Sequence, residues 1–149
     1  MKTTILILSL FMVSLFASAQ KTPPVAVSTV FAQKFKSAEK VKWTMEEANE
    51  WEAEFKMNGK ATSASFDLTG KWLETETEIE KGELPAAVKA AIEKQYAGCK
   101  IGECSNIDTP VFTGYEIALN HKGKKLEVQV TKDGKLKVND ESNEKKEKD

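Results

Sequence analysis

The chain contains two copies of one sequence pattern, and this repeat limits the folds that the chain can adopt. The segment "PPVAVSTVFAQKF" from Pro23 aligns with "LPAAVKAAIEKQY" from Leu84, and "WEAEFKMNGK" aligns with "YEIALNHKGK" further on. "FDLTGKWLE" then aligns with "VTKDGKLKV", after a longer loop near "IDTPVFTG" in the second copy. Such self-similarity indicates two copies of one supersecondary unit, at about 24–80 and 84–138.

Each copy begins with a short amphipathic helix. Pro24 and Pro85 suit the first turn of a helix, where a backbone N–H would have no partner anyway. Apolar residues then recur at helical spacing. They are Val27, Val30, Phe31 and Phe35 in copy one, and Val88, Ala91, Ile92 and Tyr96 in copy two. Helices of about three turns are marginal alone, so we expect both to pack on another element.

Strand patterns follow each helix. In "EWEAEFKM", apolar and charged residues alternate with a period of two, which is typical of a strand with one covered face. Asn58-Gly59 and Lys122-Gly123 are hairpin signals, because both central positions of such a turn need a positive φ. The first turn predicts the pairs Phe55–Thr62, Ala53–Ala64 and Trp51–Phe66. The second predicts Leu119–Leu126, Ile117–Val128 and Tyr115–Val130.

The sequence contains four Gly-Lys pairs, and a Gly-Lys pair is also part of a phosphate-binding loop. A Walker loop needs a Gly five residues before its final Gly and a Ser or Thr after the Lys, and all four pairs fail both conditions. We therefore interpret Thr69-Gly70 and Asp133-Gly134 as two-residue turns. The first pairs Phe66 with Leu73 and Asp67 with Trp72, which places Trp72 on an open sheet face. Leu136 takes the matching place in copy two.

The predicted fold class is α+β. Each copy is a helix followed by four strands, and two tandem copies form a mostly antiparallel sheet with both helices on one face. The strands of copy one are "EKVKW", "EWEAEFKM", "TSASFD" and "KWLETETEI". We expect the face with Trp51, Phe55, Phe66 and Leu73 to be covered and the other face to stay open.

The chain ends carry localisation signals. "MKTTILILSLFMVSLFASAQ" has a basic start, an apolar run and the small residues Ala17-Ser18-Ala19, which predict a signal peptide over 1–19 with cleavage near Ala19. The apolar run is shorter than the ~20 residues of a membrane span, so we expect a periplasmic or secreted domain over 20–138 without stable membrane insertion. The charged, apolar-poor segment 139–149 predicts a disordered tail.

Charge narrows the class of partner. The net charge is −1, and every basic residue is lysine, so neither nucleic-acid attraction nor bidentate guanidinium recognition is expected. The stretch from Thr44 to Glu83 contains eleven acidic residues and only four lysines. This stretch favours a basic partner surface.

Catalytic and metal-binding patterns are weak. His121 is the only histidine and lies beside a predicted turn, and no nucleophile motif accompanies it. "ETETE" places glutamates on one strand face, which we interpret as a solvated face. We therefore predict no enzyme activity, no cofactor and no metal. Cys99 and Cys104 lie five residues apart, too far for a disulfide along one strand. A break at Gly98 or Gly102 would allow closure, so a disulfide and two separate thiols both stay open.

The pattern "LPAAVKAAIEKQY", followed by "YEIALNHKGKKLEV" and "DGKL", resembles the PepSY-like periplasmic proteins, which are small exported bacterial domains. The resemblance covers about 24–138. It implies a fold similar to the beta-lactamase inhibitor protein, with a concave open sheet face that binds a protein.

These patterns together suggest an exported, non-enzymatic module that binds a protein or peptide, with oligomeric state open. The alternative is an inhibitor of an exported peptidase or beta-lactamase. The residues predicted to bind the partner are Trp72, Glu52, Glu54, Glu74, Glu76 and Leu136.

Overall fold

The computed structural model describes residues 22–47 and 49–137. Its elements are α1 (Val25–Lys34), β1 (Glu39–Glu47), β2 (Glu50–Met57), β3 (Lys60–Asp67), β4 (Trp72–Glu78), α2 (Ala86–Gln95), β5 (Lys100–Asp108), β6 (Thr113–His121), β7 (Lys124–Val130) and β8 (Leu136–Lys137). The eight strands form one antiparallel sheet in chain order, so that each strand pairs with the next. The predicted α+β class is confirmed. The predicted signal peptide and tail lie outside the described residues.

Two tight hairpins have the predicted register. Asn58 and Gly59 connect β2 and β3 with φ values of 54° and 80°, and Lys122 and Gly123 connect β6 and β7 with 52° and 79°. All six predicted cross-strand pairs are present. A one-residue shift would turn each apolar set to the opposite face, and the matched apolar pairs therefore hold this register.

Helix α1 packs on the first four strands through aromatic side chains. The ring centroid of Phe31 lies 5.0 Å from that of Trp43, 5.1 Å from that of Phe55 and 6.2 Å from that of Phe66. Edge-to-face contacts at these distances are favourable beyond the burial of the rings. The buried cluster consists of Val27, Phe31, Phe35, Trp51, Ala53, Phe55, Ala64 and Phe66.

Helix α2 packs on the later strands through aliphatic side chains. Val88 and Ile92, one helical turn apart, are buried against β5, β6 and β7. The cluster also contains Ile79, Leu84, Cys104, Tyr115, Ile117, Leu119, Val128 and Val130. Cys104 pairs with Ile117 as Trp43 pairs with Ala53, so a small thiol stands where the other half has an indole ring.

The β3–β4 turn differs from the predicted two-residue turn. The backbone N–H of Asp67 donates to the carbonyl of Lys71, and that of Gly70 donates to the carbonyl of Asp67. The loop therefore has three residues, with Gly70 at a φ of 88°. Phe66 consequently pairs with Trp72 rather than with Leu73, and an irregularity restores the expected register at Ser65 and Glu74. The predicted pairing at Trp72 is wrong.

The β7–β8 turn differs in the same way. Thr131 and Lys135 close a three-residue loop with Gly134 at a φ of 82°. Val130 therefore pairs with Leu136. Leu136 contacts the cluster under α2 rather than an open face, so its predicted position is also wrong.

Both three-residue turns lie close against a helix, and this gives a test of the packing. A Cβ on Gly70 would lie 2.8 Å from the carbonyl oxygen of Ala26, whereas a Cβ on Gly59 would meet no described atom within 4 Å. Both glycines have positive φ, so alanine carries similar backbone strain at each. We expect Gly70→Ala to lower the unfolding free energy by about 1–3 kcal/mol more than Gly59→Ala, because the helix must shift. Urea denaturation of both variants measures the difference, and equal losses would show that α1 does not rest on this turn.

Candidate functional site: a carboxylate-lined sheet face

One face of the sheet carries many acidic side chains, with serine and glutamine side chains among them. Directly opposed residues in antiparallel strands share a face. Glu52 pairs with Ser65, which pairs with Glu74, and further along the sheet Ser105 pairs with Glu116. We call this set the carboxylate face. It comprises Glu46, Glu50, Glu52, Glu54, Ser63, Ser65, Glu74, Glu76, Ser105, Glu116 and Gln129.

Several of these side chains are buried, although acidic side chains are usually exposed. Glu76 is 7% exposed and Glu116 is 8% exposed. Glu50, Ser63 and Ser65 are also buried, and Glu78, at the end of β4, is exposed. The expectation that "ETETE" forms a solvated face is therefore wrong for its central residue, Glu76.

The first group of carboxyls centres on Glu52. The pKa of Glu52 is raised to about 8, chiefly by burial and then by the charge of Glu46, a hydrogen bond with Glu46 and the charge of Glu54. A hydrogen bond with Ser63 acts in the opposite direction. Glu52 therefore holds a proton at neutral pH.

The second group centres on Glu74. Burial raises the pKa of Glu74 to about 9, followed in importance by a hydrogen bond with Glu76 and the charges of Glu76, Glu116 and Glu50. These neighbours come from β2, β4 and β6, so the group extends across the middle of the sheet.

Two carboxylates of this face, those of Glu76 and Glu116, accept hydrogen bonds from neutral polar side chains. Ser105 Oγ donates to Glu76 Oε2 at 3.4 Å, and Gln129 Nε2 donates to Glu116 Oε2 at 3.0 Å. Of the predicted site residues, the structure therefore brings Glu52, Glu54, Glu74 and Glu76 together on one face.

Sequence reasoning missed Glu50 and Glu116 as members of this face. Both had a signal. Glu50 continues the alternation of Glu52 and Glu54. Glu116 occupies in the second copy the place that Glu52 has in the first, since Tyr115 aligns with Trp51.

An apolar border lies at one end of the carboxylate face. Ile107, which pairs with both Glu76 and Gly114, is 1% exposed. A Cβ on Gly114 would lie 2.7 Å from the ring of Phe112, so this ring lies over Gly114. The adjacent Val111 is 90% exposed. Its loop is held by Thr109 Oγ1, which accepts from the N–H groups of Val111 and Phe112.

Trp72 lies on the side of the sheet that packs against α1. It pairs with Phe66 and packs against the aromatic cluster. Lys34 Nζ lies 3.8 Å from the centroid of its ring, a cation–π contact. Its Nε1 donates to the carbonyl of Glu74 at 2.7 Å and to Thr75 Oγ1 at 2.9 Å. The position predicted for Trp72 on the open face is wrong, because the three-residue loop shifts its register.

The two cysteines are free thiols, so the disulfide alternative is not realised. Cys104 points into the cluster under α2, and Cys99 precedes β5 and packs against that same cluster. Burial raises the pKa of both thiols. They are therefore protonated at neutral pH and are weak nucleophiles.

The described residues contain little that suggests metal chemistry. His121 contacts Tyr96 edge-on, with ring centroids 5.7 Å apart. Within 22–47 and 49–137, no three His, Cys, Asp or Glu side chains are arranged to hold a metal ion. None of the helices described is both long and apolar enough for a membrane crossing.

Comparisons with solved structures give the same fold. A BLIP-like protein from Bacteroides fragilis matches with a TM-score of 0.71 at 23% identity, over 79% of this chain and 85% of that chain. A DUF2874 family protein from Bacteroides ovatus matches with a TM-score of 0.71 at 24% identity, over 79% and 86%. A protein from Bacteroides eggerthii, described among "putative periplasmic proteins", matches with a TM-score of 0.66 at 21% identity, over 79% and 88%.

A comparison with protein-family profiles identifies the family of the chain as well as its fold. No curated protein matches the chain. The profile described as "Putative beta-lactamase-inhibitor-like, PepSY-like" matches residues 49–138, which is more than half of the chain. The matched region runs from the start of β2 through β8 and includes most of the carboxylate face. The chain therefore belongs to the beta-lactamase-inhibitor-like, PepSY-like family.

Proposed function

We propose that this protein is an exported, non-enzymatic binding module, and that its carboxylate face engages a protein or peptide with a basic surface. The observation that carries the proposal is the set of carboxyl groups held together on one sheet face and partly removed from water. Opposite charges 4 Å apart attract by about 4 kcal/mol at the effective dielectric of a protein surface. A lysine or arginine side chain placed among these carboxyls would relieve their mutual repulsion.

The proposal includes a tandem layout in which both helices cover the opposite face. The cross-strand pairs support this layout. Thr77, on the same face as Thr62, pairs with Asn106, and Asn106 pairs with Tyr115 of the cluster under α2. Gly70 and Gly134 support it as well, since they approach Ala26 of α1 and Ala87 of α2 in the same manner. Within the described residues, the carboxylate face would then have no helix on it.

The charges around the face favour a cationic partner. The ion pairs Lys60–Glu83 and Lys135–Asp133 lie off this face. Two exposed lysines are opposite members of this face on the edge strands: Lys42 opposite Glu54 on β1, and Lys137 opposite Gln129 on β8. The acidic character of the face is therefore concentrated in its centre, where a long basic side chain would reach it.

A second candidate is an inhibitor of an exported peptidase or beta-lactamase. The family description and the BLIP-like neighbour favour it. It would use the same face and would differ in its consequence, which is a fall in the rate of the target hydrolase. Assays of periplasmic peptidases and beta-lactamases with and without the purified protein separate the two candidates, because a binding module alone leaves these rates unchanged.

A peptide-binding experiment tests the face directly. With an oligolysine peptide as the probe, the double variant Glu54→Gln, Glu74→Gln is expected to bind at least about tenfold more weakly, because two charged or chargeable carboxyls are lost. Glu93→Gln on the exposed surface of α2 is the matched control for one lost charge. Trp72→Phe should retain binding, because Trp72 is turned toward α1. Fluorescence anisotropy of a labelled peptide measures all four proteins, and equal affinity of the double variant and the wild type would refute the proposed face.

A further inference from the structure

Strand β1 forms one edge of the sheet. It pairs with β2 on one side, and among the described residues no strand pairs with its other side. Backbone irregularities interrupt β1 between Glu39 and Lys42, and again between Met45 and Glu47. Such irregularities oppose pairing with another chain at a sheet edge. The regular part of this free edge therefore runs from Lys42 to Met45.

The backbone groups of Trp43 and Met45 point away from β2. In an antiparallel ladder, residues that exchange backbone hydrogen bonds with one neighbouring strand alternate with residues whose N–H and C=O groups point to the other side. Met57 closes the two-residue turn to β3 and therefore bonds to that strand. By this alternation Glu52 bonds to β1, where it is opposite Thr44. The residues on either side of Thr44 consequently present their backbone groups to the outside.

The edge is apolar on its helix side. Trp43 and Met45 pack against the aromatic cluster under α1 and are only half-buried. The ring of Trp43 is fixed by its edge-on contact with Phe31. A strand added along β1 would therefore cover an indole ring and a thioether that are already held in place.

The edge carries charges of both signs on its other side. Lys42 and Thr44 lie on the side of the carboxylate face, opposite Glu54 and Glu52. Thr44 Oγ1 donates to Glu46 Oε1 at 3.1 Å, so Glu46 lies on this side as well. Lys42 and Glu46 are exposed, and they lie two residues before and two residues after Thr44. The edge is thus self-complementary about Thr44.

We propose that two copies of this chain associate through their β1 edges, antiparallel and with the two-fold axis at Thr44. A contact of this symmetry brings the same patch of both copies together. Trp43 is then opposite the partner's Met45, and Lys42 is opposite the partner's Glu46, and each pair occurs twice. Apolar and opposite-charge pairs of this kind stabilise neighbouring strands. The outward backbone groups of Trp43 and Met45 bond to each other across the axis.

Other registers match less well. An axis at Lys42 would place the two copies of this lysine opposite each other. An axis at Trp43 would leave Glu46 opposite only the partner's Lys40, whose φ of 57° interrupts the strand. An axis at Met45 would place Thr44 rather than Lys42 opposite the partner's Glu46. The charges therefore select the register about Thr44.

The proposed dimer goes beyond the proposed function and does not require it. Antiparallel pairing about an axis normal to the sheet keeps the carboxylate faces of both copies on the same side. The dimer would present two such faces side by side, and a partner with two basic segments would then bind more tightly than to one copy, because its second contact is intramolecular.

Sedimentation velocity of the chain 20–149, from about 10 μM to about 1 mM, measures the association. Because the regular edge is short, we expect a dissociation constant on the order of 100 μM. Lys42→Glu opposes glutamates twice in its own dimer, and Glu46→Lys opposes lysines twice. Each variant alone should therefore dimerise at least about tenfold more weakly than the wild type. Lys94→Glu, exposed on α2, is the matched control and should dimerise like the wild type.

A mixture of the two charge-reversal variants tests the register. Lys42→Glu and Glu46→Lys, in equal amounts and with one of them fluorescently labelled, should form a heterodimer with the affinity of the wild type, because both cross-strand pairs again have opposite charges. Circular dichroism verifies that each variant is folded. Lys42→Gln, which adds no acidic side chain beside Glu54, is a milder second variant and should weaken the dimer several-fold.

Three results would overturn the proposal. The first is a wild-type chain that stays monomeric at every concentration. The second is a dimer that neither charge reversal weakens, which would place the contact elsewhere on the molecule. The third is a mixture of the two folded variants that stays monomeric, since the two reversals complement each other in the register about Thr44.

Discussion

Replacement of Phe31 by Ala is expected to lower the unfolding free energy by about 3–5 kcal/mol, the usual cost of removing a buried phenylalanine. The ring of Phe31 contacts Phe35, Trp43, Phe55 and Phe66. Its loss would leave a cavity among rigid aromatic rings, which cannot collapse to fill it. A small domain is stable by only about 5–15 kcal/mol, so this variant should be close to unfolding at 37 °C.

The matched control for Phe31→Ala is Val25→Ala in the same helix. Val25 is 81% exposed, and alanine has a high helix propensity, so the change should be within about 0.5 kcal/mol. Urea denaturation followed by tryptophan fluorescence compares both variants with the wild type. Similar midpoints for Phe31→Ala and Val25→Ala would contradict the packing of α1 on the sheet.

The second large effect is a loss of stability as the pH rises. Below pH 4.5 the carboxyls of Glu52 and Glu74 are protonated in both folded and unfolded chains. Above that value the unfolded chain loses these protons, whereas the folded protein retains them until their pKa values of about 8 and about 9. Each group can therefore lower the unfolding free energy by up to about 1.4 kcal/mol per pH unit in this window. Allowing for coupling between neighbours, we expect a total loss on the order of 4 kcal/mol between pH 5 and pH 9.

Glutamine variants locate the source of this loss. Glu74→Gln keeps the shape and the donor capacity of the protonated acid but cannot ionise, so it should flatten the pH dependence and be more stable than the wild type at pH 8. Glu78→Gln, which removes an exposed carboxyl from the same strand, is the matched comparison for the substitution. The lowered pKa values of Asp67, Glu83 and Asp133 have the opposite sign and act below about pH 4.5. Thermal melts from pH 5 to pH 9 that show constant stability would rule out buried protonated glutamates.

The hairpin registers were predictable where two residues determine the turn. Asn58-Gly59 and Lys122-Gly123 gave correct pairs along two whole hairpins. The errors at Trp72 and Leu136 come from one assumption, that Gly70 and Gly134 end two-residue turns. In "DLTGK", Asp67 Oδ1 accepts from the N–H groups of Thr69 and Lys71, which stabilises the longer loop. An Asp or Thr three residues before the Gly was the available signal.

The protonation state of the carboxylate face was not predictable from strand periodicity. A period of two shows which side chains share a face, and it placed Glu52, Glu54, Glu74 and Glu76 correctly. It does not show how much water reaches them. The pKa of Glu74 depends on Glu116 and Glu50, which belong to strands that do not pair directly with its own, so tertiary packing determines it.

The order of the strands in the sheet has a kinetic consequence. Each strand pairs with its successor in the chain, so most neighbouring strands are connected by a short turn. The longest connection within the sheet is the one between β4 and β5, which contains α2. Low relative contact order goes with fast folding among small domains. Each half has its own buried cluster, and the β4–β5 ladder joins the two halves. The first half can therefore form its buried cluster before the second half has been synthesised. Its last strand, β4, then provides the edge on which β5 of the second half pairs.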